Sequence, residues 1–256
     1  MRLLLGLPSA GSMTAPFLES LAKLQLPATC SQFDRYVVTG NFIPAQRELI
    51  FEEALGKQFD VLAMIDDDIV FPPDALVRLM KTLEDDPKTA LVGALYYSRD
   101  GLRPMAVDRW TGEDTTTALV PAFDDSTAGI VDGVGFGCVA VRLSALAQLE
   151  RPLLSAHIII QRTQRLVRIT DEDYLFCERL RRAGWTIRLH GGVRCRHYDR
   201  VSKRAFPEKW EDPATTSRRR MYVRTPEGEA LIEPDDSLPA GREDHTPAVF
   251  DYVRVD

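Results

Sequence analysis

The first hundred residues alternate between short apolar runs and longer amphipathic segments. Four apolar runs, among them "RLLLGL" and "DVLAMI", have the length and aliphatic character of buried strands. The segments between them, such as "PAQRELIFEEALGK", carry apolar residues at helical spacing. This order of four strands and three helices predicts an α/β fold with a mostly parallel sheet flanked by helices. Residues 101–170 contain short strand-like pieces and many turns, which predict a smaller antiparallel portion and so a mixed sheet.

The end of the chain has a different character. From Phe206 onward the sequence is rich in Pro, Gly and charged residues and has few apolar clusters. Such a segment has little apolar surface to bury, so the entropy lost on ordering is poorly offset. We therefore expect residues 206–256 to form a C-terminal extension, either a loosely packed tail or a mobile lid.

Charge, hydropathy and cysteine spacing exclude several classes of protein. The net charge of −6 argues against a general nucleic-acid binder, and no stretch approaches the roughly 18 apolar residues of a membrane span. The opening run "LLLGL" is shorter than the roughly 7–15 apolar residues of a secretory signal. The cysteines show no zinc-binding spacing, so reduced thiols and a cytoplasmic location are expected. They are Cys30, Cys138, Cys177 and Cys195.

A basic segment lies within this acidic protein. Between Arg162 and Arg204 there are twelve Lys or Arg against five Asp or Glu. Two interpretations are open: a solvated surface, or a site for a phosphorylated ligand, since clustered arginines suit phosphate oxygens.

Three consecutive aspartates, Asp66, Asp67 and Asp68, directly follow the third predicted strand. In an open α/β sheet, ligands bind beyond the carboxyl ends of the strands. Close carboxylates there suit a hard divalent cation, because Mg²⁺ binds one or two carboxylates together with phosphate oxygens and water. The alternative is that the triplet caps the helix that begins near Pro72. The intervening "IVF" places the triplet too early for that role.

The segment "FDVLAMIDDDIVFPPDAL" resembles the D-x-D segment of nucleotide-sugar-dependent glycosyltransferases with the GT-A fold, especially those of family 2. Further segments resemble the same family in the order that it requires, over roughly residues 2–200. Arg47 matches the arginine of the family's Ala-Arg-Asn segment, and Glu48 stands where asparagine is common. The other matching segments are "VDGVGFGCVAVR", "TDEDYLFCERLRRAGWTI" and "VRCRHYD".

The resemblance implies a GT-A-like (Rossmann-like) domain over residues 1–205. Its nucleotide-binding half would be residues 1–100 and its acceptor-binding, catalytic half residues 101–205. Mn²⁺ or Mg²⁺ would be held by Asp66, Asp68 and His197. The donor would be a nucleoside-diphosphate sugar. Its expected contacts are Pro8, Ser9, Arg47, Asp66, Asp67, Tyr97, Arg99 and Gly135.

Several of these residues also have structural explanations. His197 could be a strand histidine with satisfied hydrogen bonds, and Tyr97 could be a β-former at a sheet margin. Pro8 and Ser9 are turn residues of a kind expected after a strand without any function.

The resemblance implies that Asp173 is the general base of an inverting transfer, with Glu172 beside it. Such a base removes the proton from the acceptor hydroxyl as its oxygen attacks the anomeric carbon. The structural alternative is that these carboxylates belong to the first turn of a helix, where peptide N–H groups stabilise anions. Both roles are compatible, since a helix terminus also positions a carboxylate rigidly.

Two rival functions remain open. A nucleotidyltransferase also places aspartates and Mg²⁺ beside a nucleotide, but it generally has a basic residue in a Gly-rich loop after the first strand. The corresponding "LPSAGSMTAP" has none. The other rival is a catalytically silent sugar-nucleotide binding module. The acceptor hydroxyl could belong to a glycan, a lipid, a small molecule or a protein, and neither a nucleic-acid partner nor a membrane span is expected.

Overall fold

The predicted alternation of strands and helices is present at the start of the chain. The structure, a computed structural model, describes residues 1–99, 104–107, 118–119, 128–154, 157–161, 166–170, 172–210, 221–225 and 228–232. The elements of the first hundred residues are β1 (Arg2–Ser9), α1 (Ala15–Ala22), β2 (Gln32–Thr39), α2 (Ile43–Gly56), β3 (Val61–Ile65), β4 (Ile69–Val70), α3 (Ala75–Asp85) and β5 (Thr89–Leu95).

The second part of the chain contributes mainly short strands, as its turn-rich sequence predicts. These are β6 (Ala106–Val107), β7 (Ala118–Leu119), β8 (Ala128–Val131), β9 (Gly133–Val134), β10 (Cys138–Arg142), β11 (His157–Gln161), β12 (Leu166–Thr170), β13 (Thr186–Arg194), β14 (Arg196–Asp199), β15 (Arg204–Phe206), β16 (Met221–Thr225) and β17 (Gly228–Ile232). A 3-10 helix (Leu143–Gln148) follows β10, and one α-helix, α4 (Glu172–Arg182), precedes β13.

The central sheet has seven strands in the order β2-β1-β3-β10-β5-β13-β8. Strands β1, β2 and β3 pair in parallel, and so do β5 and β13. Strand β10 is antiparallel to both of its neighbours, β3 and β5, and β8 is antiparallel to β13. The predicted mixed sheet flanked by helices is therefore confirmed. Its antiparallel share is larger than expected, because β10 inserts between two strands of the first hundred residues.

Helices cover both faces of this sheet. Helices α2 and α4 pack on one face, where Phe51 contacts Phe176 with ring centroids 5.2 Å apart. Helices α1 and α3 pack on the other face. Gly6 allows α2 to approach β1 closely, because a Cβ atom at that position would lie 2.3 Å from the Ile50 side chain. Strand β3 is buried along its whole length, which explains its continuous apolar sequence.

A small sheet of β4, β14 and β15 lies beside the end of β3. Its pairing sets His197 opposite Ile69, one residue after the aspartate triplet. The register of this small sheet therefore decides which side chains meet the triplet.

The predicted C-terminal extension lies largely outside the described residues. Within the part that is described, β16 pairs with β17 and with β7 in a sheet separate from the central one. The predictions of a loosely packed tail or a lid fall mainly on residues 211–220 and 233–256, which the structure does not describe. Within the described ranges, no helix combines the length and apolar character needed to cross a membrane. All four cysteines are free thiols.

Candidate functional site

The aspartate triplet occupies a tight turn at the carboxyl end of β3. The Asp66 N–H donates to the carbonyl of Gly137 at 3.0 Å, and the Ile69 N–H donates to the carbonyl of Asp66 at 3.1 Å. The three carboxylates diverge from this turn, and each meets an arginine from a different part of the chain. Their mutual repulsion is thus relieved by three separate cations.

Asp66 is paired with Arg47 of α2. The Arg47 Nη2 atom lies 2.9 Å and 3.1 Å from the two Asp66 oxygens, and Nη1 donates to Glu172 at 2.8 Å. Only 6% of the Arg47 side chain is exposed. Burial disfavours the charged form of the guanidinium and so lowers its pKa. The negative charges of Asp66, Asp173 and Glu172 have the larger combined effect and raise the pKa of Arg47. Burial also raises the pKa of Asp66, against the effect of Arg47. Arg47 therefore ties the start of α4 to the end of β3.

Asp67 points away from its two neighbours and joins three segments. Its oxygens accept from the Ser9 hydroxyl at 2.6 Å and from Arg200 Nη2 at 2.7 Å. Its backbone carbonyl accepts from the N–H and the hydroxyl of Thr14. Arg200 also donates to the carbonyl and hydroxyl of Ser12. Asp67 thus holds the β1–α1 loop against the β14–β15 hairpin.

Asp68 lies between Arg99 and His197. Arg99 Nη2 lies 2.6 Å from Asp68 Oδ2, and His197 Nε2 lies 3.3 Å from Asp68 Oδ1. Burial alone would raise the pKa of Asp68, but the hydrogen bonds and charges of His197 and Arg99 lower it. Asp68 is therefore held as a buried carboxylate.

The orientation of the His197 ring is fixed from its other side. Nδ1 lies 3.2 Å from the carbonyl of Tyr97, which can only accept, so Nδ1 carries the hydrogen. In the neutral ring, Nε2 then presents a lone pair to Asp68 Oδ1. The 3.3 Å contact between Nε2 and Asp68 Oδ1 suits either a hydrogen on Nε2 or a metal ion shared by the two atoms.

The donor atoms fit a divalent ion that takes its remaining ligands from a substrate. Two ligands about 2.1 Å from one ion and at right angles lie about 3 Å apart, close to the Asp68–His197 separation of 3.3 Å. Among the described residues, no group of three or more His, Cys, Asp or Glu side chains forms a ready-made metal cluster. Mg²⁺ commonly uses one or two carboxylates and completes its shell with phosphate oxygens and water. Asp66, predicted as a further ligand, is bound by Arg47.

The Gly-rich turn before β10 packs against a buried tyrosine. A Cβ atom at Gly135 would lie 2.3 Å from the Tyr96 hydroxyl, and one at Gly137 would lie 2.6 Å from the ring. The Gly137 N–H donates to the Tyr96 hydroxyl at 2.9 Å. Burial raises the pKa of Tyr96 well above its usual value, with Asp173 and Asp66 adding to the effect. The close packing of this neutral phenol explains why residue 135 is a glycine. A contact between Gly135 and the sugar-nucleotide donor stays a prediction.

Glu172 and Asp173 form the first turn of α4, and both face the site. Asp173 is 7% exposed, and its oxygens accept from the N–H groups of Phe136 at 3.2 Å and Tyr174 at 3.0 Å. An ionised carboxylate has lone pairs for further hydrogen bonds. Asp173 is therefore positioned rigidly by the Gly-rich turn and by its own helix.

Several of the residues predicted for the site lie beside one another, and their roles stay predictions. The structure brings together Arg47, Asp66, Asp68, Arg99, Glu172 and His197. Pro8 is buried within β1, and the Tyr97 ring packs on Trp210 with centroids 5.8 Å apart. Sequence reasoning missed Arg200 and the role of Glu48. Glu48 accepts from the N–H groups of Leu153 and Leu154, which gives it a structural role.

The basic segment between Arg162 and Arg204 is largely neutralised within the protein where it is described. Five of its arginines pair with acidic side chains, namely Arg181 with Asp132, Arg182 with Glu178, Arg188 with Asp86, Arg200 with Asp67 and Arg204 with Glu208. Arg179 donates instead to backbone carbonyls at residues 150, 152 and 153. These contacts favour a structural role for this part of the segment.

Comparison with known proteins gives a family and a fold. The family model described as Glycosyltransferase like family 2 matches residues 42–222, which is more than half of the chain. The crystal structure of A197 from STIV matches with a TM-score of 0.53 and 19% identity, over 96% of this chain and 100% of that one. The search of curated protein sequences gives no match.

A second solved structure, GalNAc-T7 with UDP, GalNAc and Mn²⁺, matches with a TM-score of 0.49 and 10% identity. The match covers 83% of this chain and 46% of that one. At these identities, the likeness to A197 supports the fold alone.

Proposed function

Because this chain belongs to glycosyltransferase-like family 2, it is a glycosyltransferase, and we propose that it uses a divalent metal ion and a nucleoside-diphosphate sugar. The observation that carries the proposal is the facing pair of Asp68 Oδ1 and His197 Nε2, 3.3 Å apart beyond the end of β3. The sugar would pass to an acceptor hydroxyl with inversion at the anomeric carbon. The donor sugar, its nucleotide and the acceptor stay open.

Asp68 and His197 would hold Mn²⁺ or Mg²⁺, with Asp66 reaching the ion or the donor ribose. When bound, such an ion offsets the negative charge that builds on the diphosphate leaving group. Arg47 holds Asp66 and Glu172 in fixed positions through its buried guanidinium. These charged groups are pre-organised, so little reorganisation accompanies the reaction.

Asp173 would act as the general base. Its carboxylate lies at the start of α4, where the Phe136 N–H orients it, and it would accept the proton of the acceptor hydroxyl. Attack from the side opposite the leaving group would then invert the anomeric configuration. This role distinguishes an active transferase from a silent sugar-nucleotide binding module. Family membership argues against the rival nucleotidyltransferase.

Titration calorimetry tests the metal dependence. Nucleoside diphosphates and their sugars should bind with Mn²⁺ or Mg²⁺ and lose affinity in EDTA. Asp68→Ala should lose the metal-dependent binding while the protein stays folded. The matched control is Asp74→Ala, which removes an exposed aspartate paired with Arg78. Equal affinity for the nucleoside diphosphate with and without metal would contradict the metal assignment.

A thermal-shift panel would identify the nucleotide. A ligand at a hundred times its Kd should stabilise the folded chain by about 2.7 kcal/mol, because it binds the folded state alone. The panel should be run with and without Mn²⁺, so that a metal-dependent shift identifies the donor class. Stabilisation by no nucleoside diphosphate or sugar derivative would contradict the proposed donor. A cytoplasmic location stays a prediction from the sequence.

A further inference from the structure

The three arginines that meet the aspartate triplet differ in their freedom to move. Arg47 is 6% exposed and bridges two carboxylates, and Arg200 is held by Asp67 and by two atoms of Ser12. Arg99 is 63% exposed and reaches from the surface to Asp68, whose side chain is only 3% exposed. Of these three, Arg99 is the one whose guanidinium can leave its carboxylate for solvent.

Arg99 holds the carboxylate that would bind the metal ion. It contacts Asp68 Oδ2 at 2.6 Å, while Oδ1 of the same carboxylate faces His197. An ion between Asp68 and His197 would bring a double positive charge within a few ångströms of the guanidinium. Repulsion between them would be strong in a partly buried site. Binding of the ion at Asp68 therefore disfavours the contact between Arg99 and Asp68, and that contact disfavours binding of the ion.

A diphosphate would remove this conflict. Its oxygens would complete the shell of an ion at Asp68 and would place new acceptors beside Arg99. The planar fork of a guanidinium matches phosphate oxygens well. Because 63% of the Arg99 side chain is exposed, a rotation of the side chain alone would carry its guanidinium to these acceptors.

We propose that Arg99 competes with the divalent ion for Asp68 and transfers to the diphosphate when donor and ion bind together. This inference rests on the proposed function, since it assumes the metal and donor site described above. Arg99 makes the ion alone bind weakly and makes ion and donor bind cooperatively. It is thus a residue that couples the two ligands, beyond a simple donor contact.

The test is a titration with Mn²⁺ alone, by calorimetry or by electron paramagnetic resonance of free Mn²⁺. The full-length parent is compared with Arg99→Ala and with Arg99→Gln, which keeps more of the side-chain bulk. Both variants should bind Mn²⁺ more tightly than the parent, by roughly 5–150-fold, the usual range of coupling between sites. The control is Arg204→Ala, because Arg204 is 61% exposed and is also paired with a carboxylate, that of Glu208. Its Mn²⁺ affinity should equal that of the parent.

A second titration measures the coupling itself. The ratio of Mn²⁺ affinities with and without a saturating nucleoside diphosphate should be smaller in Arg99→Ala than in the parent. Adding Asp68→Ala to Arg99→Ala should abolish the tighter Mn²⁺ binding, which locates it at this site. Melting temperatures confirm that each variant is folded.

The inference is overturned if the Arg99 variants bind Mn²⁺ no more tightly than the parent does, or do not bind it detectably. That result is separable from failure of the proposed function, in which no variant binds a nucleoside diphosphate with Mn²⁺. The Mn²⁺ titration needs no nucleotide, so it tests the competition between Arg99 and the ion for Asp68 independently of which donor the protein uses.

Discussion

At the scale of single residues, the site is dominated by buried carboxylates that are neutralised by arginines, and one arginine serves more than one of them. A buried charge that loses its partner is costly, so such pairs are sensitive to the removal of one member. Asp66 and Glu172 share Arg47, and Asp173 contributes to the same electrostatic cluster. The end of β3 and the start of α4 are therefore coupled through one guanidinium.

Asp173→Asn separates catalysis from structure. If Asp173 is the general base, turnover should fall by roughly 10²–10⁴-fold while the affinity for the donor is nearly unchanged. Some loss of stability is also expected, because both Asp173 oxygens accept from backbone N–H groups. An asparagine amide can accept only one of these, at a cost of about 1–3 kcal/mol. Turnover, donor affinity and melting temperature are measured on the same preparation.

Turnover must be assayed well below the melting temperature of the variant, so that lost stability is not mistaken for lost chemistry. Near-parental turnover would remove Asp173 from the mechanism and turn attention to Glu172 or Asp132. A product with retained anomeric configuration would be equally damaging, since front-face transfer does not need a base in this position.

At the scale of elements, the β14–β15 hairpin carries His197 and Arg200 to the triplet. An isolated two-stranded hairpin is marginally stable in water. Here β14 also pairs with β4, and the Tyr198 N–H donates to the carbonyl of Asp68 at 2.7 Å. Arg200 adds a contact to the β1–α1 loop. The hairpin is thus held on both sides of the aspartate turn.

Arg200→Ala should loosen the β1–α1 loop and the hairpin together. Asp67, which is 6% exposed, would keep the Ser9 hydroxyl but lose its cationic partner. We expect a loss of about 1–3 kcal/mol in the free energy of unfolding. Hydrogen exchange should quicken in residues 9–14 and 199–206, as measured by mass spectrometry.

Arg204→Ala is again the matched control, because it lies in the same hairpin and its pair with Glu208 is exposed. Exposed pairs contribute about 0–1 kcal/mol, so the control should be nearly neutral. Equal losses of stability in the two variants would show that Arg200 has no special role in holding the loop.

How far the sequence predicts this site depends on how local each contact is. The triplet after β3 and the carboxylates that open α4 could be located because strand ends and helix starts have clear local patterns. Arg200 could not, because a single arginine in a hairpin has no periodicity and its partner Asp67 is distant in sequence. The position of β10 between β3 and β5 was missed for a related reason. The pairing of strands that are distant in sequence does not alter the local pattern of apolar and polar residues.

At the scale of the whole molecule, the two halves predicted from the sequence share one sheet. Strand β5 lies between β10 and β13, so both of its neighbours come from beyond residue 100. All seven residues of β5 are buried. The site has the same mixed origin, since Asp68 and Arg99 come from the first half and His197 from the second. Neither half could therefore form the site by itself.

Residues 1–100 expressed alone should not fold cooperatively. Without β10 and β13, strand β5 would lose both hydrogen-bonding partners, and much of its apolar surface would be exposed. We expect the full chain to unfold in one transition that circular dichroism and tryptophan fluorescence report at the same temperature. The fragment should instead show a broad transition or aggregation. A truncation to residues 1–210 is the control, because β16 and β17 lie outside the central sheet, and it should keep the single transition. Cooperative melting of the 1–100 fragment would show that the first half is an independent unit and that β10 merely adds to it.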